Sequence, residues 1–231
     1  MQKIVDFPVQ AAQAKKIENE RLRQLYATWL QLKRANGTAA LQDISSSRLR
    51  GLLAWMALAR MEAGKAGEPG APAAEAGMTW KYAGTAISRL AGGDTAGQEP
   101  FAACQRFERT TLRRLLRKTW QSGDVGLARM RIPLPAFAEP MHLEMLALPL
   151  RDTEAGGTVV MTIMQPLPHP QADQDELLWQ AEGLMHWLRL TGLWTLREET
   201  PGADESPPAA TPARVLRLMP RAASKQRKER A

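Results

Sequence analysis

Cysteine is nearly missing from this chain: Cys104 stands alone among 231 residues. No internal disulfide can form, which fits a reducing compartment, and the lone thiol reads as a small buried apolar group. Histidine is almost as scarce. His142, His169 and His186 show no ligand spacing, and neither HExxH nor CxxC occurs, so metal catalysis has no donor set to stand on. No constellation supports any other enzyme, so a non-enzymatic protein is expected. No apolar run reaches the roughly 18 residues of a membrane span. The first residues lack a charged segment followed by an apolar one, so no secretory leader is expected and the reading is cytoplasmic.

The net charge of +7 is unevenly distributed. Arg214, Arg217, Arg221, Lys225, Arg227, Lys228 and Arg230 oppose Glu229 alone, so six of the seven charges belong to the tail. Everything before Arg214 is close to neutral. A basic end of this kind solvates a disordered terminus, or contacts nucleic acid or an anionic surface.

What is present is a chain of helical and strand periods long enough for one domain with extensions or two small domains. Residues 1–18 carry little pattern and are expected to be flexible. From Asn19 a helix is expected, with Leu22, Leu25, Tyr26, Trp29 and Leu32 at helical spacing and Asn36-Gly37 as its stop. Asp43 to Ser47 can cap a short helix near Ser47 to Leu52. Leu53 to Met61 reads as a buried strand, although its alanines leave a helix open. Residues 62–77, rich in Gly, Ala, Pro and Glu, form a mobile loop.

The stretch from Met78 to Phe101 organises the rest. Met78, Trp80 and Tyr82 alternate with Thr79, Lys81 and Ala83 as in a strand, and Gly84 breaks it. A short helix carries Ile87 and Leu90, Gly92-Gly93-Asp94 ends it, and Phe101 follows Pro100 as an aromatic anchor. A longer helix is expected from Ala102 to Trp120. Its Arg109, Arg113, Arg114, Arg117 and Lys118 are either a solvated face or a docking site for an anionic partner. Three strands then follow without an intervening helix: Leu127 to Ile132, Met141 to Leu150 and Thr158 to Gln165. His142 and Glu144, two apart on one strand, form a polar pocket pair or an exposed edge. The economical architecture is α+β, a five-stranded antiparallel sheet with helices on one face.

That order resembles PAS domains, and within them the alphaproteobacterial PAS-like family of unknown function, the fifth PAS family. Trp80-Lys-Tyr-Ala-Gly-Thr85, Leu90-Ala-Gly-Gly93, Gly97 to Phe101 and Leu143-Glu-Met-Leu-Ala-Leu-Pro-Leu150 carry the likeness. The helix around Leu25 to Trp29 and the Asp43-Ile44 turn also match. Coverage runs over about residues 20–168, so the expected divisions are a flexible 1–18, a PAS-like domain with its N-terminal helix over 19–168, and two extensions. The resemblance implies a sensory or adaptor protein in bacterial signalling, acting by small-ligand binding, by contacts with a signalling partner, or both. Candidate pocket residues are Trp80, Tyr82, Ile87, Leu90, Phe101, Leu146, Leu148 and Val160. Trp80, Tyr82, Leu146, Leu148, Val160 and Met164 are expected to face inward across one sheet, with the caution that a one-residue slip exchanges the two faces. Haem would need an axial ligand, and His142 is the sole histidine in the matched region; neither haem nor flavin is expected.

Beyond Pro168, residues 169–198 read as an apolar helix, Leu177 to Leu196, with Trp179, Trp187 and Trp194 on several sides. It either packs on the chain's own sheet or forms an interface. A homodimer is expected, with Trp29 of the entry helix joining it. Residues 199–231 are expected to be a disordered basic tail. The alternative to an adaptor is a nucleic-acid-associated regulator that uses this tail.

Overall fold

The longest helical period of the sequence becomes the helix α1, Glu20–Asn36, whose Leu22, Leu25, Tyr26, Trp29 and Leu30 are buried. Asn19 caps it by accepting the Leu22 N–H at 3.2 Å, and Gly37 ends it. The computed structural model describes residues 15–44, 49–61, 77–154 and 156–197. The expectations for residues 1–14, the start of the short helix near Ser47, the loop over 62–76 and the tail over 199–231 lie outside these residues. The flexible start expected over 1–18 is corrected at its end. Ile17 is fully buried and the Glu18 N–H is hydrogen-bonded, so the body already begins there.

The remaining elements follow in order: β1 Met56–Met61, β2 Met78–Ala83, α2 Thr85–Ala91, α3 Arg106–Ser122, β3 Val125–Ile132, β4 Met141–Arg151, β5 Thr158–Pro166, α4 Gln174–Gln180 and β6 Arg189–Leu196. The strands form one antiparallel sheet in the order β2-β1-β5-β4-β3-β6. The fold is α+β and PAS-like, with six strands in place of the five expected.

The sixth strand replaces the second half of the helix expected over Leu177 to Leu196. Helix stops at Gln180, Gly183 takes a positive φ of 71°, and a single 3-10 turn Leu184–Trp187 leads into β6. A helix cannot continue through a left-handed residue. Beyond it, Thr191, Trp194 and Thr195 are strand formers, and the exposed edge of β3 supplies hydrogen-bond partners that a lone helix would lack. Apolar spacing in this segment suits both periods, and the sheet edge decides between them.

Two further boundaries differ. Leu53–Trp55 is a 3-10 turn before β1, where Gly84 lies so close that a Cβ there would sit 2.1 Å from the Leu53 carbonyl oxygen. The helix expected from Ala102 starts only at Arg106. Phe101, at φ 61°, accepts the Cys104 N–H at 2.9 Å and turns the chain before α3 begins.

Both faces of the sheet are covered, which explains why β4 and β5 read as nearly continuous apolar runs. One face carries Ala57, Ala59, Trp80, Met130, Met145, Val160 and Met164 and packs on α2, α3, α4 and the 184–187 turn. The other carries Leu58, Leu127, Leu146, Leu148, Met161 and Ile163 and packs on α1. The single inward set expected from the sequence therefore divides. Trp80, Val160 and Met164 belong to the first face, whereas Leu146 and Leu148 point at α1 because they alternate with Met145 and Ala147 on a strand buried twice over. Tyr82 belongs to neither core. It is 39% exposed, since the register between β1 and β2 shifts at Leu58/Ala59, and its hydroxyl donates to the Leu53 carbonyl at 3.3 Å.

Leu148 is fully buried under α1. Leu148→Ala should therefore lower the free energy of unfolding by about 2–5 kcal/mol. Urea denaturation checks this, and an unchanged midpoint would contradict the second core.

Candidate functional site

A PAS-like sheet offers a ligand one natural place, the space between its helical face and the helices. Here that space is built from Trp80 of β2, Ile87 and Ala91 of α2, Thr95, Gln98, Glu99 and Phe101 to Ala103 of the following loop, and Met185. The strained backbone of Phe101 aims its ring at Trp80, edge to face, with centroids 5.5 Å apart. Met185 enters from the C-terminal extension and is 2% exposed. Its approach is fixed by the Gly183 N–H, which donates to the Arg89 carbonyl at 2.9 Å. The remaining cavity is about 10 Å³. That volume holds at most about one water, whereas sites for small organic ligands run to roughly 300–1,000 Å³. Thr95 Oγ1, which is buried here, has no hydrogen-bond partner among the described residues.

The sequence candidates therefore fall into three groups. Trp80, Ile87 and Phe101 line the small cavity, and Leu90 and Val160 belong to the same core. Leu146 and Leu148 lie on the opposite face of the sheet, and Tyr82 is outside both cores. Met185 and Thr95 were not legible as pocket residues. Met185 lies beyond the PAS-like stretch, in a segment read as continuous helix.

The four tryptophans expected at an interface also separate. Trp29 is buried on the sheet-facing side of α1, its indole N–H donating to the Pro149 carbonyl at 2.9 Å. Trp194 is half-buried beneath the Arg129 guanidinium at 5.0 Å. Trp179 is 63% exposed with the Arg89 guanidinium 4.1 Å over its ring, and Trp187 is 49% exposed beside β6.

The strongest electrostatic feature is a buried clamp. Glu144, fully buried on the α1 side of β4, accepts the Glu18 N–H at 3.0 Å and the Asn19 N–H at 2.8 Å. A carboxylate at a helix N-terminus meets both unpaired amides and the positive end of the helix dipole. Arg129 of β3 completes it, with Nε 3.2 Å from Glu144 and Nη1 2.7 Å from Glu18, and with a further hydrogen bond to the Lys16 carbonyl. The same guanidinium covers Trp194, so one cluster joins the entry helix, the middle of the sheet and the sixth strand. His142, paired with it in sequence, is exposed; the two are not a unit. Cys104 is buried, and desolvation, with a smaller contribution from Glu108, pushes its thiol up to about 12. It stays protonated and inert. No helix of the described residues is long and apolar enough to cross a membrane.

A family model described as a PAS domain matches residues 17–165. No curated protein matches the chain. The matched segment starts at the buried Ile17 and ends within β5, so α4, the Met185 turn and β6 are additions to it.

Two substitutions test this arrangement. Glu144→Ala should cost about 3–5 kcal/mol, because Arg129 and the Glu18 and Asn19 amides lose their buried partner. Amides of α1 should then exchange with deuterium faster than those of β4, and equal protection in both would contradict the clamp. Met185→Ala should open the small cavity, cost about 2–5 kcal/mol and let benzene raise the melting temperature, which wild type should not show.

Proposed function

The chain belongs to the PAS domain family, and from that premise we propose that it is a non-enzymatic sensory or adaptor protein of cytoplasmic bacterial signalling, working through protein contacts and not through a ligand in its core. The observation that carries this reading is the cavity of about 10 Å³ where a PAS ligand would sit, closed by the chain's own Met185. Such a core has no room for haem or flavin.

Contact surface is offered at the sheet's two ends unequally. The outer edge of β2 is covered by its own loop, since Trp80 N–H donates to the Gln98 carbonyl at 2.9 Å and Gly97 N–H to the Trp80 carbonyl at 2.7 Å. The outer edge of β6 has no strand beside it among the described residues. It is eight residues long, without proline or lysine, with Leu193 42% exposed, and Trp187 in the turn before it is 49% exposed. An apolar edge of this length is a template for another strand, and a two-fold axis lets the same edge serve both partners. A homodimer joined through β6 is the form we assign, with a signalling partner bound by the assembly. The nucleic-acid alternative rests on the basic tail alone, and DNA binding that vanishes on deletion of residues 200–231 would favour it.

Light scattering at micromolar concentration should give twice the chain mass. Leu193→Lys, which places a charge in the edge, should give the monomer with an unchanged circular-dichroism spectrum. A wild-type monomer would overturn the edge-pairing reading.

A further inference from the structure

The charges of α3 oppose its own stability. Of its 17 residues, Arg106, Arg109, Arg113, Arg114, Arg117 and Lys118 are basic and Glu108 alone is acidic. Glu108 is buried and turned inward, 3.9 Å from Arg189 of β6. The outer surface of the helix therefore carries one sign only. Among the described residues Arg113 is paired with Glu99, whereas Arg106, Arg109, Arg114 and Lys118 meet no carboxylate.

A helix that had only to stay solvated would be charged differently, and α1 shows how. Glu20 in its first turn pairs with Arg23 at 2.6 Å, and Lys33 and Arg34 stand in its last turn, each sign at the favourable end of the helix dipole. In α3 the order is reversed. Arg106 is its first residue, Arg109 follows one turn on, and its last turn has no base. Arg109 and Arg113, Arg113 and Arg117, and Arg114 and Lys118 are also like charges four residues apart, which repel across one turn.

Arg106, Thr110, Arg114 and Lys118 are all exposed and four residues apart, so they form one ridge with about 6 Å of rise between successive positions. Phe107 stands beside its start, 70% exposed. We propose that this ridge docks an acidic helix of a partner protein, with carboxylates at helical spacing and an apolar side chain set against Phe107. Carboxylates four residues apart on a helix repeat at the same rise, and ridges of that spacing pack into one another's grooves. Charge complementarity selects a protein over a nucleic acid. The chain before Arg214 carries a net charge of only +1. A body so nearly neutral, with one basic face, suits a partner that is acidic in one patch, whereas a phosphate polymer also meets the acidic remainder. The proposal rests on the reading that this chain works through protein contacts, and it makes no use of the β6 edge.

The probe is a capped helical peptide repeating Glu-Ala-Ala-Leu, titrated calorimetrically into the full chain beside the neutral peptide repeating Gln-Ala-Ala-Leu. The Glu peptide should bind about tenfold or more tighter than the Gln peptide, and more weakly as salt is added. Arg114→Glu should weaken the Glu peptide by about tenfold or more. The same substitution should leave the melting temperature unchanged or raise it, because a Glu four residues before Lys118 replaces a repulsion by an attraction. Binding and stability then move apart, which a merely structural role for Arg114 would not produce. Phe107→Ala should weaken the Glu peptide without altering its salt dependence. Equal affinity for the two peptides, indifference to Arg114→Glu, or no binding at millimolar peptide would each overturn the proposal. So would duplex DNA or phosphatidylserine vesicles that bind tighter than the Glu peptide and are lost with Arg114→Glu, since the ridge would then serve phosphate. Light scattering of the same samples keeps the two readings separate: a dimer that ignores the peptide sinks only the ridge, and a monomer that binds it sinks only the edge pairing.

Discussion

A sheet with both faces buried constrains everything else in this molecule. Its central strands can hold a charge only where a partner is waiting, and Glu144 is that place. The carboxylate is held by the Glu18 and Asn19 amides at the entry to α1 and by Arg129, so the cost of burying it is met by three polar contacts. Removing the helix would leave an unpaired charge in the middle of β4, and removing the charge would leave helix amides without partners. The polar clamp therefore fixes the register of an otherwise apolar layer. It also links that register to β6 through Trp194.

The opposite face follows a different logic. Its strands bury no charge, the buried Glu108 of α3 lying 3.9 Å from Arg189, and its problem is volume. Trp80, Phe101, Ile87 and Met185 fill the space between sheet and helices almost completely. The side chain that completes the filling comes from outside the family match, as do Leu177, Ala181 and Leu188 of the same core. The C-terminal extension thus does two things at once. It supplies an internal occupant for the PAS cavity, and it moves the sheet's open edge from β3 to β6.

Much of this was legible in the sequence because it is local. The periods of α1 and α3, the three consecutive strands and the Gly-rich turn after α2 depend on neighbours a few residues apart, and the PAS-like order follows from them. What was not legible depends on distance. Glu144 meets Glu18 across 126 positions of sequence and Arg129 across 15, and no spacing rule joins them. In the β4 run Leu143 to Leu150, Leu146 and Leu148 are expected from the sequence on one inward face with Val160 and Met164, and the run carries no alternation to correct this because both faces are buried. The segment around Gly183 and Gly192 carried apolar residues suited to helix and strand alike. Only the unpaired edge of β3 makes strand the better answer, and that edge exists only once the sheet has formed.

The central claim is that the chain's own C-terminal extension occupies the PAS cavity. It is tested most directly by nuclear Overhauser contacts from the Met185 methyl group in the purified full chain. The account predicts strong contacts from that methyl to the ring protons of both Trp80 and Phe101. A Met185 methyl without contact to either ring, or ligand protons found against them in its place, would contradict it.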